Sequence, residues 1–145
     1  MGVSERSSHL DRYAANMHHL LITKIERFDP TSEGASVTLE SDVGQVVVFC
    51  FPCSYEVGDR VPNRLYVLDS TKPHSPYFND WADEERAQAS LDRLHRARDY
   101  AYSGCGKVID PNDGLVQVCG FVLEFDDLPA GAEFVEFDIT RLDLR

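Results

Sequence analysis

Alternation of apolar and polar positions marks most of this chain as strand. Val37 and Leu39 alternate with Ser36, Thr38 and Glu40, the period-two signature of a half-buried strand. Before them, Leu20-Leu21-Ile22-Thr23-Lys24-Ile25 is rich in β-formers and runs into the turn-forming Asp29-Pro30. Asp42-Val43-Gly44 reads as a hairpin turn, and residues 45–51 are apolar on both faces, as a central strand would be. Pro52 ends that run, and Gly58-Asp59 leads towards a further strand at Leu65-Tyr66-Val67-Leu68.

Beyond Pro73 and Pro76 the period changes. Ala87, Leu91, Leu94 and Ala101 lie at helical spacing, which predicts one long helix over residues 80–102. Asn79 or Asp80 would cap it, Asp83, Glu84 and Glu85 would occupy its favourable first turn, and Gly104 would stop it. Arg98 falls inside the stripe and His95 beside it. Three strands are expected after the helix: residues 105–109, then 115–125 beyond the turn Asp110-Pro111-Asn112-Asp113-Gly114, then 133–144. In the last, Val135, Phe137 and Ile139 share one face while Leu142 and Leu144 have the opposite phase. A bulge near Thr140-Arg141 would produce that slip.

The two halves read alike, either as a repeated unit or because β-meanders reuse the same turn residues. Asp29-Pro30 corresponds to Asp110-Pro111, Gly58 to Gly131, and Leu68-Asp69 to Leu142-Asp143. The expected class is α+β, mainly β: a small OB-like, closed or partly closed antiparallel barrel of about six to seven strands in two meanders. One long helix joins the halves. A single domain spans residues 19–145. Residues 1–18 form a weakly ordered or short-helix lead-in, with Leu10, Tyr13, Ala14 and Met17 at helical spacing.

Composition sharpens this picture through charge. The 145 residues are 43% hydrophobic and 27% charged, with a net charge of -11. No Lys or Arg occurs between Phe28 and Asp59, whereas Asp29, Glu33, Glu40, Asp42, Glu56 and Asp59 do. The C-terminal stretch repeats the theme with Glu124, Asp126, Asp127, Glu133, Glu136, Asp138 and Asp143. Such a surface repels phosphate backbones and attracts basic protein surfaces. No apolar run suits a membrane span or a signal peptide, so a cytoplasmic setting with reduced cysteines is expected.

The candidate chemistry is sparse. Cys50-Phe51-Pro52-Cys53 is a CxxC, but poor helix sequence follows it, and Cys105 and Cys119 are not a second pair with metal-hook spacing. Small core thiols are the simpler reading. The histidines (His9, His18, His19, His74, His95) show no ligand spacing on the expected helix, so neither a metal nor another cofactor is expected. Nucleophile-elbow, P-loop and dinucleotide fingerprints are absent, which disfavours an enzyme, although a thiol or carboxylate site stays as an alternative.

The expected contact residues are Tyr77, Phe78 and Trp81, where the proline-containing loop meets the helix, and Glu124, Asp126, Asp127, Glu133, Glu136 and Asp138. Together they point to a non-enzymatic module that engages a basic protein partner. An immunity-type inhibitor of a cationic nuclease or toxin is one example that charge alone suggests. A single-stranded nucleic-acid binder is the alternative from architecture. It is opposed by charge, its best basic patch being Arg86, Arg93 and Arg96. Unpaired barrel edges would also permit a homodimer.

Overall fold

The computed structural model describes residues 18–145. The predicted lead-in helix around Leu10 to Met17 lies outside the described residues. Ten strands form one sheet: β1 (His19–Arg27), β2 (Ala35–Glu40), β3 (Gln45–Cys50), β4 (Arg60–Pro62), β5 (Leu65–Ser70), β6 (Arg93–Arg98), β7 (Ala101–Asp110), β8 (Leu115–Val118), β9 (Phe121–Glu124) and β10 (Phe134–Leu144). A single helix is assigned among the described residues, α1 (Asp83–Ala89). The sheet order is β4-β1-β2-β3-β10-β5-β9-β8-β7-β6, and an extra β10–β7 pairing closes β10, β5, β9, β8 and β7 into a five-stranded barrel. No helix among the described residues is long and apolar enough to cross a membrane.

Both halves follow one course. β1, β2 and β3 make an antiparallel meander, as do β7, β8 and β9. In the first half β4 returns to pair with β1. The chain then continues into β5, which runs parallel to β9 of the other half. In the second half the start of β10 pairs with β7, and its end runs parallel to β3 of the first half. The two crossing strands, β5 and β10, pair with each other, with Tyr66 opposite Asp143. Asp29-Pro30 and Asp110-Pro111 stand in equivalent meander turns. Gly58 and Gly131 stand before the equivalent return strands, each at positive φ. The proposed match of Leu68 with Leu142 is displaced. Parallel partners align Leu65 and Tyr66 with Leu142 and Asp143, and Leu68 is exposed where Leu142 is fully buried.

One continuous core fills the interior. Phe121, Phe137, Leu20, Ile22, Leu39, Leu65, Leu123 and Leu142 are its largest fully buried side chains. The alternation read from β2 holds residue by residue, with Ala35, Val37 and Leu39 inside. The bulge anticipated near Thr140-Arg141 is present as a register shift between Arg141 and Leu142. It lets Val135, Phe137 and Ile139 face the core before the slip and Leu142 and Leu144 after it.

Three expectations need correction. The long helix over 80–102 is replaced by the seven-residue α1, the edge strand β6 and the first part of β7. α1 starts after Ala82 with no side-chain cap, so neither Asn79 nor Asp80 caps it, and none of its residues is buried. A helix with no buried face gains nothing from packing and stops early. The next residues instead pair with β7, through Leu94 opposite Gly104 and Arg96 opposite Tyr102. The second correction is strand number: ten, not six or seven. β4 and β6 were not foreseen, and residues 115–125 form two strands rather than one. Cys119 (φ 50) and Gly120 (φ 81) make the tight turn between β8 and β9, so Cys119 does not sit within a strand. The third is the stripe itself: Leu91 is exposed and Ala87 is exposed on α1, so they form no buried helix face.

Where a crossing strand leaves a meander, a backbone edge is orphaned, and a side chain fills it. β10 pairs with β3 only at Phe49 and Cys50. Just upstream, the Tyr102 hydroxyl accepts from the Val47 N–H at 2.7 Å and donates to the Val47 carbonyl at 2.9 Å. At the matching fork on β9, the Asn63 amide accepts from the Val122 N–H at 3.0 Å and donates to the Gly120 carbonyl at 2.9 Å. Replacing Tyr102 with Phe should therefore cost about 1–3 kcal/mol, the penalty for leaving buried polar groups unpaired. It should also speed hydrogen exchange at the Val47 amide ahead of its neighbours. Equal stability with unchanged exchange would refute this role.

Candidate functional site

The loop from β5 to α1 carries the clearest surface feature. Phe78 is 73% exposed and Trp81 37% exposed. Their rings meet edge to face, with centroids 6.1 Å apart. Both stay outside the core, so they do not plug a barrel end. Asp80, Asp83, Glu84 and Glu85 flank the pair, and all are exposed. The last three form the first turn of α1, where the helix dipole favours negative charge. Tyr77 turns the other way and lies under Arg86, whose guanidinium stands 4.7 Å from the ring centroid. Glu133 is exposed just before β10 and forms no ion pair with Arg86 among the described salt bridges. The structure thus brings Phe78 and Trp81 into ring contact and stacks Tyr77 on Arg86 of the adjoining helix.

It does not gather the remaining predicted contacts. Glu124 is ion-paired to Arg64. Glu136 is held by Arg93 at 2.5 Å on one oxygen and approached by His74 Nε2 at 3.2 Å on the other. Their charge is spent within the molecule. Asp126 and Asp127 are exposed and line a hollow of about 260 Å³ with Asp69, Leu68, Lys72 and Pro73. Asp138 is exposed at a second hollow, of about 290 Å³, shared with His74, His95 and Arg93. Sequence reasoning missed Asp69 and the acids Asp80, Asp83, Glu84 and Glu85 as surface partners. The last four were legible as helix-start residues, and their exposure beside the aromatic pair emerges only once the helix proves short and unburied.

The thiols are built for packing. Cys50 and Cys53 are buried, free, and part of the core cluster. Burial pushes the Cys50 thiol up to about 12, with Cys53 and then the nearby Asp143 carboxylate adding to the effect. Burial also raises Cys105 and Cys119. A nucleophilic or metal-binding thiol needs the opposite shift. Among the described residues, no group of three or more His, Cys, Asp or Glu side chains could share a metal ion.

The raised Cys50 value has a pH consequence. The folded chain holds this proton more tightly than the unfolded chain does, so stability falls as pH rises past the ordinary thiol value of 9.0. At pH 8 iodoacetamide should spare Cys50 in the native protein and modify it in urea, as peptide mapping would read. Fast native alkylation would contradict the packing role.

No protein-family model matches the chain, and comparisons with curated proteins and with solved structures gave no match.

Proposed function

We propose that this chain is a non-catalytic protein-binding module that engages a basic partner through an acidic surface centred on Phe78 and Trp81. One observation carries the reading: an exposed aromatic pair with Asp80 beside it and Asp83, Glu84 and Glu85 in the first turn of the following helix, none of whose residues is buried. Aromatic anchors inside a charged rim are the usual anatomy of binding hot spots. The net charge of -11 would steer a cationic partner towards this surface and make association fall with salt. A nuclease or toxin with a cationic substrate site has the required chemistry, and an inhibitor of such an enzyme is the form this module would take.

The test is affinity capture with the full chain at low and high salt, followed by titration of the captured partner. The double variant Phe78→Ala/Trp81→Ala should weaken binding by about 100-fold or more, as truncated hot spots do. Asp83→Lys/Glu84→Lys should slow association and flatten its salt dependence. A partner indifferent to salt and to both variants would overturn the proposal.

The nucleic-acid alternative would rest on β6, which places Arg93, Arg96 and Arg98 along the sheet edge. Arg93 is committed to Glu136, and Asp92 and Asp99 bracket the strand. Retention of labelled single-stranded DNA at moderate salt would favour this alternative.

A further inference from the structure

Away from the aromatic pair, the β6–β7 hairpin lies over the outer face of the first meander. Tyr100 marks this contact: its hydroxyl is 2.5 Å from Ser36 Oγ on β2, and its ring meets Phe49 on β3 edge-on. Towards the open end of the hairpin the two layers part and leave a cleft of about 690 Å³. Thr23, Thr38 and Val47 of the first meander line one side of it, and Leu94, Arg96 and Tyr102 of the hairpin line another. Val43, which is well exposed, adds apolar surface, and the buried Val46 and Phe121 lie behind the wall. Pockets of this size, apolar with a few polar groups, are where small molecules bind.

The charges of the cleft run against those of the molecule. Acidic residues outnumber Lys and Arg by 25 to 14 in the sequence, yet no described carboxylate lines the cleft. Among the described residues its only charged liners are Lys24 and Arg96. Arg96 is oriented by donation of its Nε–H to the Asp99 carbonyl at 2.7 Å. Lys24 pairs with Glu26, and both side chains are well exposed, so an anion can compete for the ammonium. The Tyr102 hydroxyl is fully engaged by the Val47 backbone and offers the cleft its ring. Burial, with Asp92 close by, holds the Cys119 thiol in its neutral form, so it adds no negative charge.

We propose that this cleft binds a small amphiphilic carboxylate, with an apolar body against Val43, Val47 and Leu94 and its head group on Arg96 and Lys24. The site is distinct from the aromatic pair and does not depend on that reading.

Decanoate is the probe, titrated into the full chain and followed by backbone amide shifts. Saturable shifts confined to residues 23–24, 38, 43–47, 94–102 and 119–121 are expected. Acetate, which lacks the apolar body, should leave them unmoved. Decyltrimethylammonium should do the same, although its charge suits the molecule as a whole. Lys24→Ala/Arg96→Ala should weaken decanoate binding at least tenfold while the circular dichroism spectrum stays unchanged. The proposal is overturned if decanoate shows no saturable binding, if the cationic analogue binds equally well, if the double variant binds like the parent, or if the shifts lie outside the cleft. Phe78→Ala/Trp81→Ala should bind decanoate normally. That separates failure of this site from failure of the protein-binding surface.

Discussion

Replacing Arg141 with Leu should destabilise the protein by about 2–4 kcal/mol, the lower part of the range for breaking a buried ion pair, because Arg141 itself is only partly covered. Asp143 is the one buried charged residue among those described, at 5% exposure. It sits at the centre of the crossing, opposite Tyr66 on β5 and beside Phe49 on β3. Both of its oxygens are taken by the Arg141 fork, at 2.8 and 2.9 Å, and that guanidinium stacks 4.0 Å from the Phe49 ring centroid. Without Arg141 the carboxylate would be stranded between two strands that hold the halves together. Arg141→Leu/Asp143→Leu removes both charges and should recover most of the loss, since apolar replacement of a whole buried pair is often neutral or better. Urea midpoints at constant slope would measure both variants. If the single variant unfolds at the parental midpoint, the pair has no structural weight. If the double variant is worse than the single, the cost lies in side-chain shape rather than in an unpaired charge.

This crossing also explains what the sequence could and could not show. Local signals were sound where one strand and its neighbouring turn decide the outcome. The alternation of Val37 and Leu39, the Asp-Pro turns, the likeness of the halves and the slip near Arg141 all survive in the structure. The misses occur where a partner distant in the chain wins. Residues 93–102 carry charged, helix-tolerant sequence, but antiparallel pairing along β7 outweighs a weak local preference. Cys119-Gly120 hides a two-residue turn because Cys is an unusual occupant of a positive-φ position. The surface shows the same division. Tyr77, Phe78 and Trp81 are neighbours in sequence and were found together. Neutralisation of Glu124 and Glu136 depends on Arg64 and Arg93, which lie 60 and 43 residues away. No local pattern announces such pairs, so an acidic stretch overstates the charge its folded face presents.

The larger loss should come from Phe137→Ala, at about 3–5 kcal/mol, the usual range for emptying a buried phenylalanine site. Phe137 is 2% exposed and lies on the part of β10 that closes the barrel against β7, opposite Gly104. Glycine at 104 leaves that position without a side chain of its own. An added Cβ there would strike the Arg93 carbonyl of β6, so position 104 cannot supply a side chain to fill the void. The Phe137 ring packs on Phe125, with centroids 5.3 Å apart. A double-mutant cycle with Phe125→Ala should return a coupling of about 0.5–1.5 kcal/mol, as aromatic pairs do. Domains of this kind have only about 5–15 kcal/mol in total, so the single change removes a large share. The segment bearing Phe78 and Trp81 is anchored beside it, because the His74 backbone pairs with Glu136 through two hydrogen bonds, at 2.7 and 3.1 Å. Partner binding should therefore weaken in Phe137→Ala in proportion to the unfolded fraction and recover on cooling towards maximum stability. In Phe78→Ala/Trp81→Ala it should be lost while the urea midpoint stays at the parental value. Equal unfolding midpoints for Phe137→Ala and the parent would remove Phe137 from the role of barrel closure.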